Sequence, residues 1–227
     1  MKQNKSVMSV QTLTLGAVLT ALVVLLQLMG SFIRFGTFSI SLVLVPIVIG
    51  AATCGVLVGG WLGLVFGIAV LLSGDAAVFL GIHAIGTVIT VLLKGLLAGL
   101  AAGFVYKLLE KYNRYAAVVA AAIACPIVNT GVFLLGCLVF FLDTIKSWAG
   151  GDGLGYYMIV ILVGGNFLFE LLFNIVLSPI VVRLLDIWKK PAKSNVKVHV
   201  TTDVRVTVET PDSTVETETS TDTTVGE

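Results

Sequence analysis

Residues 82–106 read IHAIGTVITVLLKGLLAGLAAGFVY, and this stretch decides the fold. It is apolar over a length that lets an α-helix cross a bilayer, which takes about 20 residues. Near its middle stands Lys94, and a lysine at that depth costs roughly 2.5–3.5 kcal/mol on insertion scales. A charge in such a place needs a partner and marks a path or a site. The stretch therefore predicts a membrane helix that carries a polar site.

Composition places most of the chain in a membrane. The 227 residues are 57% hydrophobic and 12% charged, with a mean hydropathy of +1.05, which excludes an ordinary soluble domain. Residues 1–190 contain 11 basic and 6 acidic residues (net +5), whereas residues 191–227 contain 3 and 7 (net −4). We therefore predict a transmembrane domain over residues 1–190 and a polar, disordered acidic tail over residues 191–227.

Apolar runs separated by polar or glycine-rich breaks predict an all-α membrane protein, a bundle of six transmembrane helices. A β-barrel is excluded, because the runs are continuous and do not alternate between polar and apolar residues. Five spans is the competing count, since Gly59 and Gly60 alone separate the second run from the third. The six runs cover residues 13–33, 40–57, 59–73, 82–107, 116–142 and 157–185.

The distribution of lysine and arginine predicts the orientation of the bundle, because cytoplasmic loops carry an excess of these residues. If the N-terminus lies inside, Arg34 and Lys146 are the basic residues left in the outer loops. Both termini are therefore predicted to be cytoplasmic. The inner side then holds Lys2, Lys5, Lys107, Lys111, Arg114, Arg183, Lys189, Lys190 and Lys193.

Small residues recur every fourth position in three of the runs, a spacing that lets helix backbones approach closely. For the glycines we favour tight packing within one subunit. Ala17 and Ala21 form a similar pair in the first run, and such a face could equally dock a separate membrane protein. The glycines are Gly55, Gly59, Gly63 and Gly67 in one series and Gly95, Gly99 and Gly103 in the other.

Polar side chains in three different runs fall at a similar depth. At a rise of ~1.5 Å per residue, Lys94, Asn129 and Glu170 each lie roughly 18–20 Å from the outer end of their runs. Asn166, Glu170 and Asn174 are spaced by four, so they share one helix face. If the helices are neighbours, these groups offer an ammonium, amides and a carboxylate to a polar small molecule. Alternatively, Lys94 and Glu170 neutralise each other and the asparagines link helices.

The outer loops predict a lid above this site. One loop contains Arg34, another runs from Ser73 to His83, and the third is glycine-rich over residues 143–157. Glycine-rich loops above a polar pocket suit gating by loop movement. Arg34 and His83 are therefore candidate substrate contacts, although His83 near a helix start could instead serve as an interfacial hydrogen-bonding residue.

Catalytic signatures are absent from the sequence, which has no H-E-x-x-H motif, no Walker loop and no G-x-S-x-G elbow. His83 and His199 are its only histidines, so a histidine metal cluster is excluded. We expect neither an enzyme nor a bound cofactor or metal. Uphill transport would need ATP hydrolysis by another polypeptide.

Four segments, in their order and spacing, resemble the substrate-binding S components of energy-coupling factor (ECF) vitamin transporters. The likeness covers residues 10–190 and is greatest to the riboflavin, folate and pantothenate branch. The segments are residues 13–21 (LTLGAVLTA), 38–50 (FSISLVLVPIVIG), 126–131 (PIVNTG) and 164–167 (GGNF).

This resemblance implies six helices with both termini in the cytoplasm and a vitamin pocket near the outer face. It implies docking, partly through Ala17 and Ala21, onto a transmembrane coupling protein and two ATPase subunits in the cell membrane of a prokaryote. Asn129 and Asn166 match the binding asparagines of the family. Membrane lipid is the other expected partner, and no nucleic acid is expected.

The favoured interpretation is a non-enzymatic subunit that captures a vitamin or related solute outside and delivers it inward. One alternative is a self-contained, proton-coupled secondary transporter in which Lys94 and Glu170 form the protonation switch. Another is an intramembrane enzyme or assembly factor. For the cargo we favour pantothenate or another small carboxylate-bearing vitamin, because the ammonium of Lys94 can pair with a carboxylate. Riboflavin and folate would call for stacking on aromatic residues such as Phe35, Trp148, Tyr156 and Tyr157.

Overall fold

The computed structural model describes residues 10–31, 34–35, 38–39, 42–151, 153–189, 197–201, 205–210 and 213–216. The chain divides into two units, Met1–Trp188 and Lys189–Glu227. Helices dominate the first unit, and short strands make up most of the described part of the second.

The helices of the first unit follow the apolar runs of the sequence. A π-helical turn, Tyr157–Leu162, precedes the last of them. In chain order the helices are α1 (Val10–Gly30), α2 (Leu44–Cys54), α3 (Val56–Ser73), α4 (Ala77–Ile82), α5 (Ala84–Leu109), α6 (Arg114–Phe140), α7 (Leu142–Ala149), α8 (Leu154–Tyr156) and α9 (Gly164–Lys189).

Within the described ranges, five helices are long and apolar enough to cross a membrane: α1, α3, α5, α6 and α9. The predicted helical membrane body is confirmed to this extent. The second predicted span corresponds to α2, whose 11 residues rise only about 16 Å against a hydrocarbon core of ~30 Å. Gly55 ends α2 with a φ of 100°, a left-handed value that glycine adopts readily. The count of six spans and the orientation remain predictions.

Helices α3 and α5 pack backbone against backbone. A Cβ atom added at Gly63 would collide with the carbonyl oxygen of Gly95, and one added at Gly99 would collide with that of Gly59. Small residues at this spacing allow such an approach, which maximises van der Waals contact between membrane helices. The predicted packing within one subunit holds for the other glycines of the two series, whereas a Cβ atom added at Gly55 would meet no atom within 4 Å.

Two buried clusters fill the first unit. The larger draws on α1, α2, α3, α5, α6 and α9. The smaller, here called the aromatic cluster, joins α4, α6, α7 and the π-helical turn. Helix α7 lies where the sequence predicted a loop, because Ile145 and Ala149, one turn apart, are both buried. The aromatic cluster consists of Phe79, Phe133, Cys137, Phe141, Ile145, Met158, Leu162 and Val163.

Short strands occur in one loop and in the tail. Strands β1 (Arg34–Phe35) and β2 (Phe38–Ser39) pair antiparallel between α1 and α2. In the tail, β3 (Lys197–Thr201), β4 (Arg205–Thr210) and β5 (Ser213–Glu216) form an antiparallel sheet in that order.

The three tail strands differ from the disorder predicted for this part of the chain. Consecutive segments of the tail pair with each other, with Val198 opposite Val208 and Val208 opposite Val215. The remaining tail residues, 190–196, 202–204, 211–212 and 217–227, lie outside the described residues. The boundary between a membrane domain and a polar tail at residue 190 stays a prediction.

The α3–α5 contact can be tested with two Gly→Ala variants. We expect Gly63→Ala to destabilise the protein by on the order of 1–3 kcal/mol, because the added methyl group must push two backbones apart. Gly131→Ala in α6 is the matched control, since its added Cβ meets no atom within 4 Å and alanine is the better helix former by ~0.5–1 kcal/mol. Thermal unfolding of detergent-purified protein measures both. An unchanged midpoint for Gly63→Ala would contradict the close contact.

Candidate functional site

Polar side chains from α5, α6 and α9 line one cavity inside the helical bundle. Four of the predicted site residues meet there: Lys94, Asn129, Asn166 and Glu170. The cavity has a volume of about 70 Å³. From the sequence, Lys94, Asn129 and Glu170 were predicted to lie at a similar depth in the membrane. In the fold, their three helices surround the same cavity.

Glu170 is the most deeply buried charged residue of the cavity wall, with 2% of its surface exposed. Its Oε1 accepts a hydrogen bond of 3.1 Å from Nδ2 of Asn166, one turn earlier in α9. Its Oε2 is buried and accepts no hydrogen bond from the described protein. A buried carboxylate oxygen without a donor is costly. Oε2 of Glu170 can therefore still accept a hydrogen bond from a ligand in the cavity.

Lys94 faces the same cavity from α5. Its Nζ lies 5.7 Å from the ring centroid of Phe66 and 5.3 Å from that of Phe133. Aromatic faces attract an ammonium group, by roughly 0.5–2 kcal/mol depending on solvation. The structure contains no direct ion pair between Lys94 and Glu170, both of which are described. The ammonium is thus held by two rings and can still pair with an anionic group.

Asn129 and Thr90 add two further oxygens to the cavity wall. Oδ1 of Asn129 and Oγ1 of Thr90 are buried and form no hydrogen bond within the described chain. Together with Oε2 of Glu170, they give three such oxygens on three helices around one space. In folded proteins the great majority of buried polar atoms are paired, so a cluster of exceptions calls for a functional explanation.

Phenylalanines form the apolar wall of the cavity. The ring of Phe79 meets the edges or faces of Phe133 and Phe141 at centroid distances of 5.5 Å and 5.1 Å, both near-perpendicular. These three residues belong to the aromatic cluster, and Phe66 lies on the α3 side. Apolar walls of this kind exclude water and strengthen the electrostatic interactions of the polar groups inside.

The π-helical turn before α9 positions Asn166. At its end the chain departs from helical geometry at Val163, and α9 begins at Gly164. A Cβ atom at Gly164 would lie only 2.8 Å from the carbonyl oxygen of Ile159. Glycine therefore lets α9 start close behind the turn, with Asn166 in its first turn and Glu170 one turn deeper. Such π-helical turns are frequent at functional sites.

Gln27 and Asp75 close the cavity at the end of α1 and after α3. Nε2 of Gln27 donates hydrogen bonds to Oδ2 of Asp75, at 2.5 Å, and to Oγ of Ser73, at 3.3 Å. Gln27 is buried, with 3% of its surface exposed. Gly74 makes the turn between these two acceptors with a φ of 82°. Gln27 thus ties α1 to the cavity wall.

Two of the other residues singled out in the sequence, His83 and Asn174, do not line the cavity. His83 precedes α5, and its Nδ1 accepts a hydrogen bond of 2.9 Å from the backbone N–H of Gly86. This is the hydrogen-bonding alternative considered for His83. Asn174 donates to the backbone oxygen of Glu170 at 2.8 Å, a bond within α9. Arg34 pairs with Ser39 through the backbone, and its side chain lies outside the description.

Sequence reasoning missed several residues of the cavity wall. Gln27, Thr87 and Thr90 were not singled out, and Asp75 was considered only as part of a loop. A signal existed for the threonines, because Thr87, Thr90 and Lys94 follow the i, i+3, i+7 spacing of one helix face. The phenylalanines carried no comparable signal, since apolar side chains are expected on every face of a membrane helix.

His83 can be tested as a helix cap. We expect His83→Ala to destabilise the protein by about 1 kcal/mol, because the N–H of Gly86 loses its acceptor. His83→Asn is the matched control, since the Asn side chain is a good N-cap acceptor and should retain most of the stability. Thermal unfolding compares the two variants. Equal losses in both would argue against capping.

Two comparisons with known proteins gave a match. The family model described as ECF transporter, substrate-specific component, matches residues 11–182. Among solved structures, ThiT from Listeria monocytogenes aligns with a TM-score of 0.57 at 20% identity, covering 78% of this chain and 97% of that chain. A likeness at this identity shows a shared fold. A comparison with curated proteins gave no match.

Members of the matched family are membrane transporter subunits that bind substrate, and they are not enzymes. The match extends over residues 11–182 of 227, well beyond half of the chain. The protein therefore belongs to the substrate-specific component family of ECF transporters.

Proposed function

We propose that the cavity between α5, α6 and α9 is the substrate site, and that the protein captures a small polar solute there from outside the cell. The observation that carries this proposal is the set of three buried oxygens, on Thr90, Asn129 and Glu170, that form no hydrogen bond with any described residue. Each such group costs roughly 1–3 kcal/mol. A ligand that brings O–H or N–H donors into the cavity recovers this cost, which favours binding.

The charges of the wall favour a particular ligand chemistry. Among the described residues Lys94 has no acidic partner in direct contact, so a carboxylate on the ligand would supply one. The three open oxygens accept hydrogen bonds from hydroxyl or amide groups. A small acid with hydroxyl and amide donors, as in pantothenate, combines both requirements. We therefore propose pantothenate or another small carboxylate-bearing vitamin as cargo.

Binding would require the cavity to widen. Its volume of about 70 Å³ is well below the roughly 300–1,000 Å³ of most small-molecule sites. Phe79, Phe133 and Phe141 of the aromatic cluster line the cavity, and the π-helical turn packs into the same cluster through Met158 and Leu162. Movement of these elements is the simplest route to a larger site, because their side chains, unlike the α3–α5 contact, are not locked backbone to backbone.

The cargo is tested by thermal unfolding of the detergent-purified protein with a panel of B vitamins and their precursors. A ligand that binds only the folded state raises the midpoint by mass action, and at 100 times Kd it adds ~2.7 kcal/mol. We expect the largest shift with a carboxylate-bearing compound. If only a cationic vitamin raised the unfolding midpoint, the proposal of a carboxylate-bearing cargo would be overturned. The proposal that the protein binds a vitamin would stand. No shift from folded protein across the panel would contradict a vitamin site.

The same assay tests the site residues. We expect Asn166→Ala to weaken binding of the identified ligand by on the order of 1–3 kcal/mol, because a buried hydrogen-bonding group is lost. Asn174→Ala is the matched control on the same helix face, since Asn174 does not line the cavity. It should lower the unfolding midpoint but leave the affinity unchanged. Equal affinities for both variants and the unmodified protein would remove Asn166 from the site.

For delivery, we propose that the protein docks through α1 onto a transmembrane coupling protein and two ATPase subunits in a prokaryotic cell membrane. Ala17 and Ala21 are both exposed on α1, one turn apart, so they offer a flat surface to another helix. Beside them, the indole Nε1 of Trp61 in α3 donates to Oγ1 of Thr20 at 3.3 Å. This contact ties α1 to α3 next to the two alanines.

Docking is tested by enlarging the small face. We expect Ala17→Leu with Ala21→Leu to abolish most solute uptake in cells that supply the energizing subunits, because bulky side chains prevent close helix approach. Solute binding by the purified variant should persist. The matched control is Val139→Leu, an exposed position on α6. Uptake by the protein without any ATPase module would instead support the self-contained, proton-coupled carrier.

A further inference from the structure

A second cleft lies at the other end of α5, where the helix passes the beginning of α3. It has a volume of about 400 Å³ and lies on the side predicted to face the cytoplasm. Neither the family match nor the proposed transport function assigns a role to it. Its lining residues are Val56, Phe104, Lys107, Leu108, Lys111 and Tyr112.

The end of the glycine contact explains why this cleft exists. Gly103 is the last glycine of the α5 series, and a Cβ atom there would lie 2.7 Å from Cα of Val56. Beyond this point α5 presents the large side chains of Phe104, Lys107 and Leu108 instead of glycine. Because α3 begins at Val56, its backbone does not continue beside this part of α5, and a space remains next to the last turns of α5.

One half of the cleft is basic. Lys107 and Lys111 are exposed and stand four residues apart, and neither is in an ion pair within the described chain. Like charges at this spacing repel each other. Arg114, near the same end of the bundle, is by contrast paired with Asp186 at 2.8 Å. The two lysines therefore offer positive charge to an anion from outside the chain.

The other half of the cleft is apolar and open. Phe104 is 63% exposed and Leu108 is 60% exposed, and Val56 lies between them and α3. Tyr112 follows at the end of the helix, and tyrosine is favoured at the headgroup level of a bilayer. A ligand that fills the whole cleft must therefore carry a negative group next to an aliphatic chain. A phospholipid with an anionic headgroup has this build.

We propose that this cleft is a binding site for an anionic phospholipid, with the phosphate between Lys107 and Lys111 and the upper acyl chain along Phe104 and Leu108. Basic pockets between membrane helices on the cytoplasmic side bind headgroups of this class. A soluble phosphate would use the two ammonium groups but leave the apolar half unoccupied. The bound lipid neutralises the repulsion between the lysines and covers the exposed aromatic ring.

The test measures lipid binding to the full chain in a neutral detergent, by native mass spectrometry and by thermal unfolding. The probes are phosphatidylglycerol, phosphatidylcholine and inorganic phosphate. The variant is Lys107→Gln with Lys111→Gln, and the control is Lys146→Gln, an exposed lysine at the predicted opposite side. Each variant is first compared with the unmodified protein without lipid, because substitutions at exposed positions should leave the fold intact.

We expect the unmodified protein and Lys146→Gln to bind phosphatidylglycerol in preference to phosphatidylcholine. The double variant should bind phosphatidylglycerol about 30-fold more weakly, from ~1 kcal/mol for each lysine near a membrane surface. Equal binding of the two lipids, or unchanged binding by the double variant, would overturn the proposal. A shift of the same size with inorganic phosphate would identify a soluble anion as the ligand instead. None of these outcomes depends on the solute bound in the cavity.

Discussion

The backbone contact between α3 and α5 is the constraint on which the rest of the structure depends. Gly63 and Gly95 touch through their backbones, and Lys94 stands next to Gly95 in the chain. Phe66 follows Gly63 by three residues and meets the ammonium of Lys94. The contact that holds the two helices together therefore also fixes the distance between a buried charge and the ring that stabilises it. Packing and electrostatics are set by the same pair of glycines.

The cavity concentrates unfavourable features that most of the bundle avoids. A lysine, two carboxyl groups and several amides line a space walled by phenylalanines, and the oxygens on Thr90, Asn129 and Glu170 form no hydrogen bond within the described chain. The desolvation cost of these groups is offset by helix packing elsewhere, in clusters that are almost entirely apolar. Binding sites tolerate such local costs because the ligand, rather than the fold, completes the hydrogen bonds.

The sequence was sufficient to predict the main helices and four of the polar residues that line the cavity. Lys94, Asn129, Asn166 and Glu170 are recognisable because polar side chains are rare and expensive inside apolar runs. Their convergence depended on an assumption that their helices are neighbours, which sequence spacing cannot supply. The shortness of α2 was not predictable from hydropathy, because its apolar run continues through residues 40–57 while Gly55 breaks the helix.

The roles of the remaining residues depend on tertiary contacts. His83 and Asn166 are both polar residues near helix starts, yet one caps its own helix and the other lines the cavity. Local sequence does not distinguish these roles. The same is true of the segment around Ile145, where glycines nearby suggested a loop and burial against the aromatic cluster stabilises a helix.

The hydrogen bond between Gln27 and Asp75 gives α1 a thermodynamic connection to the cavity. The donor, Gln27, belongs to the helix that carries Ala17 and Ala21, and the acceptor, Asp75, belongs to the cavity wall. Any displacement of α1 that separates the two side chains changes the wall that a solute contacts. Linkage then requires reciprocity: whatever factor a docked partner applies to solute affinity, the solute applies to the affinity of the partner. A subunit with bound solute and one without would in that case compete unequally for the same partner, and the hydrogen bond of Gln27 would be one of the contacts that contribute to this difference.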